Sequence, residues 1–336
     1  MINAFTVIRR LRAEEEATLA YPIDKMLVVG ISGRALFDMA EEHRAYETHG
    51  LKAYKKFQRE REEVVLKPGT AFPVVKGLLS INDQMRERAV EVVVISRNDG
   101  DSGLRIMNSI KAHGLDITRA SFCGGDNAAG YFSAYNCKLF LSAEETDVRK
   151  VILNQAAAAM VLPPPEGAEY EVDEVRIAFD ADAVIFSDEA EQVYQSGGLT
   201  AFHKAESENA CVPLAPGPFK RFLEALASIQ SQFPEGSSPI RTAIVTARNA
   251  PAHERAIRTL RNWGIAVDEM HLLGGIEKSG VLKVFRPHIF FDDQQTHLQA
   301  CAQTVPAAHV PYGVAAQKKP PMAAGTQDVS SVPNAG

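Results

Sequence analysis

The sequence contains little that would support a disulfide framework, a membrane span or a nucleic-acid interface. Its 336 residues include only four cysteines, none of them in a C-x-x-C pair, so we expect reduced thiols in a cytosolic protein. No apolar run approaches the length of about 18 residues that a membrane helix needs. The charged N-terminal stretch L-R-A-E-E-E also lacks the apolar segment of a signal peptide. We therefore predict a soluble, cytoplasmic protein without a membrane partner.

A basic surface and several catalytic signatures are also missing. The 36 Lys and Arg residues are dispersed and are outnumbered by 42 Asp and Glu, which argues against a nucleic-acid partner. The stretch G-I-S-G at 30–33 matches neither G-x-G-x-x-G nor G-x-S-x-G, so we exclude dinucleotide binding and serine-hydrolase chemistry. The nine histidines show no ligand spacing. Hydrophobic residues make up 46% of the sequence, which is enough for a sizeable core and two domains.

Strand-like and helix-like segments alternate along the chain, which predicts an α/β fold. Residues 1–20 have the pattern of a charged helix, and the stretch 35–42 is helical in pattern. A further helix is predicted to end at His113, with Gly114 at its C-cap. The strands predicted in the first half are 26–33, 74–79, 90–96 and 138–143.

The second half repeats this plan at an offset of 150 residues. The offset pairs Gly124-Gly125 with Gly274-Gly275, Ser96 with Thr246 and Gly114 with Gly264, and the matches stay in register over residues 27–146. We interpret them as two tandem copies of one Rossmann-like α/β unit, an internal repeat. The stretch 161–174 is rich in prolines and charges, so we predict that it links the copies.

Acidic and basic residues that are candidates for catalysis occur only in the second copy. At this offset Asp180 corresponds to Gly30, Asp182 to Ser32 and Lys278 to Ala128, while Asp292-Asp293 corresponds to Ser142-Ala143. We therefore predict that the first copy is catalytically silent.

The pair Asp180-x-Asp182 follows an apolar stretch that has the pattern of a buried strand. Strand side chains alternate between faces, so we expect the two carboxylates to point the same way. Two like charges held close together repel unless a cation or a shared proton lies between them. The alternative is a pair of solvated turn residues, but such pairs usually have polar residues on both sides.

Three more strand ends in the second copy carry suitable groups, namely Thr246, Lys278 and the adjacent Asp292 and Asp293. Taken singly, each has an ordinary structural explanation: a helix cap, a solvated loop lysine or a strand-to-turn signal. Ligands of open α/β sheets bind at the carboxyl ends of the strands, where these groups would converge. Carboxylate ligands without His or Cys select a hard cation, and phosphate chemistry favours Mg²⁺.

The order of these groups resembles the haloacid dehalogenase-like phosphohydrolase superfamily. The stretches F-D-A-D-A-V-I-F-S-D-E-A-E, P-L-A-P-G-P, V-T-A-R and R-P-H-I-F-F-D-D-Q resemble, more closely, the AMP-preferring cytosolic 5'-nucleotidase I family. The resemblance covers roughly residues 26–316. It implies Mg²⁺-dependent hydrolysis of nucleoside 5'-monophosphates, possibly including deoxynucleotides, to nucleoside and phosphate. It also implies a homo-oligomer and a response to a nucleotide effector.

The resemblance assigns a role to each of these groups. Asp180 is the nucleophile that forms an aspartyl-phosphate, and Asp182 transfers protons as general acid and base. Thr246, Ala247 and Lys278 bind the phosphate. Asp180, Asp182 through its backbone carbonyl, Asp292 and Asp293 hold the metal. Phe202, His203 and Arg248 are candidate substrate-binding residues.

The resemblance also assigns a small helical cap to about 188–240, where F-K-R-F-L-E-A-L-A-S-I-Q has the pattern of a helix. The predicted division is a non-catalytic haloacid dehalogenase-like unit at 1–160, a catalytic unit at 175–316 and a disordered tail at 317–336. Two other functions are kept as alternatives: a phosphatase for another small phosphomonoester, such as a sugar phosphate, and a non-catalytic regulator. In the regulator, the first copy would hold a nucleotide near Ser32, Arg34, Ser96 and Arg97.

Overall fold

The computed structural model describes residues 21–165 and 174–314. The predicted N-terminal helix (1–20) and the predicted tail (317–336) lie outside these residues, as does most of the predicted linker.

Ten of the twelve strands in the described part of the chain form a single sheet. The strands are β1 (Leu27–Ile31), β2 (Phe37–Asp38), β3 (Lys67–Pro68), β4 (Val90–Ser96), β5 (Arg119–Phe122), β6 (Leu139–Ser142), β7 (Ala157–Val161), β8 (Val175–Phe179), β9 (Ile240–Thr246), β10 (Glu269–Leu272), β11 (Ile289–Asp292) and β12 (Ala307–His309). Their order across the sheet is β10-β9-β8-β11-β12-β7-β6-β1-β4-β5. All neighbours are parallel except β7 and β12, which meet antiparallel at the centre. This confirms the predicted α/β class.

Helices connect the strands, as parallel pairing requires. They are α1 (Gly33–Leu36), α2 (Ala40–Glu60), α3 (Phe72–Ser80), α4 (Gly100–Ala112), α5 (Gly130–Ala134), α6 (Glu145–Leu153), α7 (Glu189–Glu208), α8 (Lys220–Gln230), α9 (His253–Asn262), α10 (Ser279–Phe285) and α11 (Gln295–Cys301). Every residue of β4 and every residue of β11 is buried, because these strands are covered on both faces. Within the described residues, every helix is too short or too polar to span a bilayer.

The two halves of the sheet have the same strand order, β5-β4-β1-β6-β7 and β10-β9-β8-β11-β12. The bounds of β4, β5 and β6 differ from those of β9, β10 and β11 by 150 residues, the offset found in the sequence. The register between strands gives a different offset for β1 and β8. Leu27 pairs with Val90, whereas Val175 pairs with Ile240. Because Val90 and Ile240 are 150 residues apart, Leu27 and Val175 are equivalent at an offset of only 148.

This register corrects two residue pairings expected from the sequence. Asp180 corresponds to Ser32, not to Gly30, and Asp182 corresponds by the same count to Arg34, not to Ser32. The reason is that 65 residues separate the starts of β8 and β9 and only 63 separate those of β1 and β4. A comparison at one constant offset cannot detect this difference in the connecting segment.

Two predicted elements differ from the structure. Residues 74–79 lie in the helix α3, not in a strand, because Pro73 suits the first turn of a helix and a six-residue apolar run fits either structure. The predicted helix at 35–42 is interrupted by β2, which pairs antiparallel with β3. Asp38 then accepts a hydrogen bond from the Ala40 amide, and α2 begins there.

The other predicted elements lie within one or two residues of their expected positions. Gly114 has a φ of +66° directly after the helix α4, which a residue with a side chain rarely adopts. All four cysteines are free thiols, as predicted.

Candidate active site

The register of the second half brings remote carboxylates together. Phe179, the last residue of β8, pairs with Phe291 of β11, so Asp180 and Asp292 lie beside each other at the carboxyl edge of the sheet. The Asp180 amide donates to the Phe291 carbonyl over 2.7 Å, which fixes this alignment. The rings of Phe179 and Phe291 stack beneath the site with centroids 5.6 Å apart. An apolar floor therefore supports the two acids.

Lys278 is a cation buried between these two acids. Its Nζ lies 2.9 Å from Asp180 Oδ1 and 2.7 Å from Asp292 Oδ2. Burial alone would lower the pKa of this ammonium, but the two carboxylates outweigh burial and raise it. Lys278 reaches this position because it immediately precedes α10 on a loop that begins at Gly274 and Gly275, both of which have positive φ. The loop lysine predicted from the sequence is thus a component of the carboxylate cluster.

The three acids differ in their proton affinity. Burial, opposed by Lys278, raises the pKa of Asp180 to about 6. Burial and the charges of Asp180 and Asp292 raise the pKa of Asp293 well above its ordinary value. Burial acts in the same direction on Asp292, but Lys278 and His297 outweigh it, so that its pKa lies below the ordinary value. The single ammonium of Lys278 therefore does not neutralise the three carboxyl groups of this cluster.

The donor set fits a hard divalent cation. One carboxylate oxygen from each of Asp180, Asp292 and Asp293 lies within 4.8 Å of the others, and all three residues are buried. Asp293 Oδ1 is buried and has no hydrogen-bond partner among the described residues, although buried polar atoms are normally paired. Oxygen ligands alone are the set that Mg²⁺ prefers. These residues fit Mg²⁺ and are three of the four acids predicted to hold it.

Asp182 lies apart from this cluster because the strand ends at Phe179. Residues 181–185 form one π-type turn, in which Ala183 has a φ of 58°. The turn, and not strand alternation, sets the direction of the Asp182 side chain. Its carboxylate is held by Arg248, whose Nε and Nη2 donate to its two oxygens over 2.8 and 2.7 Å.

Arg248 belongs to a buried chain of charges that links Asp182 to the helix α7. Arg248 is 2% exposed, and its guanidinium also donates a hydrogen bond to Glu206 of α7. Glu206 in turn accepts from Arg255 of α9 over 2.8 Å. The four charged side chains that follow one another in space alternate in sign, so each buried group has a partner of opposite charge. The structure thus connects Asp182 to α7 through one side chain.

Thr246 and Ala247 lie where β9 ends. Thr246 is buried, and its hydroxyl accepts from the Arg248 amide over 3.2 Å. Ala247 is exposed, so its backbone is accessible at the same sheet edge. A hydroxyl and backbone amides after a strand are suitable donors for a phosphate.

Phe202 and His203 lie on α7, one turn before Glu206. The Phe202 ring centroid is 5.5 Å from Arg248 Cζ, and His203 Nε2 is 3.1 Å from Asn249 Oδ1. Both residues are partly exposed. The structure therefore brings these two predicted substrate-binding residues next to the Asp182–Arg248 pair.

The segment P-L-A-P-G-P supports the turn that carries Asp182. The Gly217 amide donates to the Ile185 carbonyl, and Pro216 pairs with Phe186. A Cβ added at Gly217 would lie 2.3 Å from the Phe186 carbonyl oxygen and 2.5 Å from that of Val184. These contacts are with backbone atoms, so a larger residue must displace the turn.

We therefore expect Gly217→Ala to lower the free energy of unfolding by about 1–3 kcal/mol, the usual range for overpacking. Gly100→Ala is a suitable control, because a Cβ at Gly100 meets nothing within 4 Å. Urea unfolding of both variants measures the difference, and equal stabilities would contradict the close contact.

Two buried residues of this site, Glu206 and Arg255, have no role in the sequence-based prediction. Arg255 lies 150 residues after Arg105, so the repeat pairs these two arginines but assigns neither of them a role. Arg105 also donates to two acceptors in its own half, Glu42 and Gln58, over 2.6 and 2.9 Å. Glu206 corresponds to Gln58 at an offset of 148, so a comparison at the single offset of 150 does not pair these two residues.

Comparisons with known proteins identify relatives of this chain. A family model described as 5'-nucleotidase matches residues 19–317. Human cytosolic 5'-nucleotidase 1B is 37% identical over 284 residues, which cover 81% of this chain and 47% of the human protein. The chain therefore spans about half the length of this relative. No solved structure matches the chain described here. The predicted resemblance to cytosolic 5'-nucleotidase I is confirmed: the chain belongs to the 5'-nucleotidase family.

Proposed function

We propose that this protein hydrolyses nucleoside 5'-monophosphates in a Mg²⁺-dependent reaction. The observation that carries the proposal is the buried cluster of Asp180, Lys278, Asp292 and Asp293 in a chain of the 5'-nucleotidase family. Such a cluster of like charges is unfavourable unless a cation offsets it. The name of the human relative supports the nucleotide as substrate.

Asp180 is the proposed nucleophile. Its carboxylate attacks phosphorus, the bond to the nucleoside 5'-oxygen breaks, and an aspartyl-phosphate forms; water then attacks this phosphorus and releases phosphate. The ion pair with Lys278 keeps Asp180 ionised and fixes its orientation. Asp182 gives a proton to the leaving oxygen in the first step and takes one from water in the second.

Arg248 is assigned a positioning role and not a substrate contact. Its guanidinium is engaged by Asp182 and Glu206 and is almost fully buried, which leaves no donor directed at open solvent. The fork of two hydrogen bonds holds the Asp182 carboxylate in one orientation.

The substrate phosphate lies, in this proposal, between Lys278, the Thr246 hydroxyl and the Ala247 backbone amide. Asp180, Asp292 and Asp293 would hold Mg²⁺, with the Asp182 backbone carbonyl as a further oxygen ligand. When bound, Mg²⁺ would neutralise charge on the phosphoryl oxygens and so reduce their repulsion from the acids. The rings of Phe202 and His203 would contact the nucleoside.

The two halves are proposed to be tandem haloacid dehalogenase-like units, one non-catalytic (1–160) and one catalytic (175–316). Their identical strand order and matching registers support this division. The cap is proposed to be the segment 188–240, which contains α7 and α8 and supplies Phe202, His203 and Glu206.

A panel of phosphomonoesters tests the function. We expect phosphate release from AMP and other nucleoside 5'-monophosphates with Mg²⁺, and loss of release in the presence of EDTA. Turnover of sugar phosphates alone would favour another phosphatase. An absence of turnover with every ester would favour a non-catalytic nucleotide-binding protein.

Mg²⁺ binding should be visible in the stability of the protein. A ligand that binds only the folded state adds about 2.7 kcal/mol at 100 times its Kd, so Mg²⁺ should raise Tm. Asp293→Asn removes one of the repelling charges and keeps the side-chain shape, so we expect an unchanged or higher Tm in EDTA but a much smaller rise with Mg²⁺. A full Mg²⁺ response in this variant would exclude Asp293 as a ligand.

A further inference from the structure

A buried histidine, His309, lies in the middle of the ten-stranded sheet beside the acids of the candidate site. It is the last residue of β12, and it pairs with Asp292 of β11 on one side and with Met160 of β7 on the other. The two halves of the sheet meet at β7 and β12. His309 is 4% exposed, so it contacts protein on all sides. It therefore lies next to a proposed metal ligand and at the junction of the two halves.

The His309 ring donates a hydrogen bond to the backbone of another proposed metal ligand. Its Nε2 lies 3.0 Å from the carbonyl oxygen of Asp293. A carbonyl oxygen can only accept, so Nε2 carries the hydrogen. Burial lowers the pKa of the imidazole, which favours the neutral ring. In a neutral ring with hydrogen on Nε2, Nδ1 is an acceptor, and this buried Nδ1 has no hydrogen-bond partner among the described residues.

Stability alone does not account for a histidine at this position. A buried acceptor without a donor costs free energy, and an apolar side chain would avoid that cost. The first half shows that the fold accepts such a side chain, because Ser142 pairs with Met160 in the way that Asp292 pairs with His309. Since Ser142 corresponds to Asp292, Met160 corresponds to His309. The histidine is thus present in the half that has the acids, and a methionine replaces it in the other half.

The hydrogen bond from His309 acts on the peptide unit that follows the end of β11. This strand ends at Asp292, so pairing between strands does not fix the backbone of Asp293. The Val310 amide donates to the Asp292 carbonyl over 2.9 Å, and the His309 ring donates to the next carbonyl. Two successive carbonyls are therefore held from β12. Holding the Asp293 carbonyl restricts the backbone of this residue and, with it, the direction of its carboxylate.

The Asp293 carboxylate needs such support because little else holds it. Its Oδ1 is buried and has no hydrogen-bond partner in the described part of the chain. One oxygen of this carboxylate nevertheless lies within 4.8 Å of oxygens from Asp180 and Asp292. Groups that orient the ligands of a metal commonly change its affinity about tenfold to a hundredfold when they are removed.

We propose that His309 is a positioning residue for the metal site, whose Nε2–H holds the Asp293 backbone so that the Asp293 carboxylate stays grouped with those of Asp180 and Asp292 as cation ligands. The inference rests on the proposed function, in which these three acids hold Mg²⁺. It also gives the first half a part in the site, because β7 of that half packs beside His309.

Calorimetric titration of Mg²⁺ into the whole protein, without substrate, tests the proposal. His309→Met introduces the residue of the first half and removes the donor, so we expect the Kd for Mg²⁺ to rise about tenfold to a hundredfold. His309→Gln keeps an N–H donor as many bonds from the backbone as Nε2 and should restore most of the affinity. His49→Met, the same change at an exposed histidine of α2, should leave the Kd unaltered.

The Tm in EDTA distinguishes positioning from a purely structural role. We expect His309→Met to have a Tm in EDTA close to that of the unaltered protein, because it loses one hydrogen bond but also removes the unpaired Nδ1. A purely structural role predicts the reverse, namely a lower Tm and an unaltered Kd for Mg²⁺. If His309→Met does not fold, His309→Leu provides the comparison with His309→Gln.

Two results would overturn the proposal by itself: an unaltered Kd for Mg²⁺ in the donor-free variant, or an equal loss of affinity in His309→Gln. An absence of Mg²⁺ binding in the unaltered protein would overturn the proposed metal site together with this inference. Phosphate release with and without EDTA tests the proposed function separately, so the two failures are distinguishable.

Discussion

Asp180→Asn should abolish hydrolysis of nucleoside monophosphates, with kcat lower by at least about 10³-fold, because the amide cannot act as the attacking carboxylate. The substitution keeps the shape of a side chain that is 5% exposed. It also removes one of the charges that raise the pKa of Asp293. We therefore expect the fold to be retained, and the metal-free protein to be no less stable than one with Asp180.

Phosphate release and urea unfolding, measured on the same preparation, check this prediction. Asp83→Asn is a matched control, because Asp83 is exposed and its side chain has no hydrogen-bond partner among the described residues. It should change neither quantity. If Asp180→Asn keeps more than a tenth of kcat, Asp180 is not the nucleophile. A loss of the folded state in this variant would instead show that the buried Lys278 ammonium requires the Asp180 carboxylate as its partner.

Arg248→Ala should have the largest effect on stability. It leaves Glu206, a carboxylate that is 2% exposed, with Arg255 as its remaining partner, and it releases Asp182. Breaking a buried pair on one side lowers the free energy of unfolding by about 3–5 kcal/mol. Because Asp182 loses its orientation, we expect kcat to fall as well.

Arg248→Lys separates the two effects. The ammonium keeps the charge but cannot form the two parallel hydrogen bonds to Asp182, so stability should recover in part while kcat stays low. Arg258→Ala is the control, since Arg258 forms an exposed ion pair with Glu254 within α9 and should contribute little. If kcat of Arg248→Lys equals that of the unaltered protein, Arg248 is not a positioning residue. Unfolding curves for all three variants provide the stability comparison.

The sequence predicted the fold class because β1, β4 and β11 are buried along their whole length and are mostly apolar. β4, with the sequence V-E-V-V-V-I-S, begins and ends where predicted. The same rule was wrong for residues 74–79, since an apolar run of six residues is buried equally well as one face of a helix. In that segment Gly77 lies against Val175, where an added Cβ would come within 2.9 Å, and this contact is not visible in the sequence.

The chemical identity of the candidate site was accessible from the sequence for a related reason. Asp180, Thr246 and Asp292 each end an apolar strand or follow one directly, and parallel strands place such ends at one edge. Glu206 and Arg255 gave no such signal, because they lie on helices and because Glu206 meets Arg248 and Arg255 only after the chain has folded.

By itself, the sequence determined which side chains the sheet edge would carry and that two similar halves carry different ones, since both follow from residue types at strand ends. Only the tertiary structure decided which residues are equivalent between the halves and how each charge is paired. Strand register and the length of the connecting segments set those relations, and both depend on hydrogen bonds between residues far apart in the chain. The shift from an offset of 150 to one of 148, which aligns Asp180 with Ser32, is the clearest case.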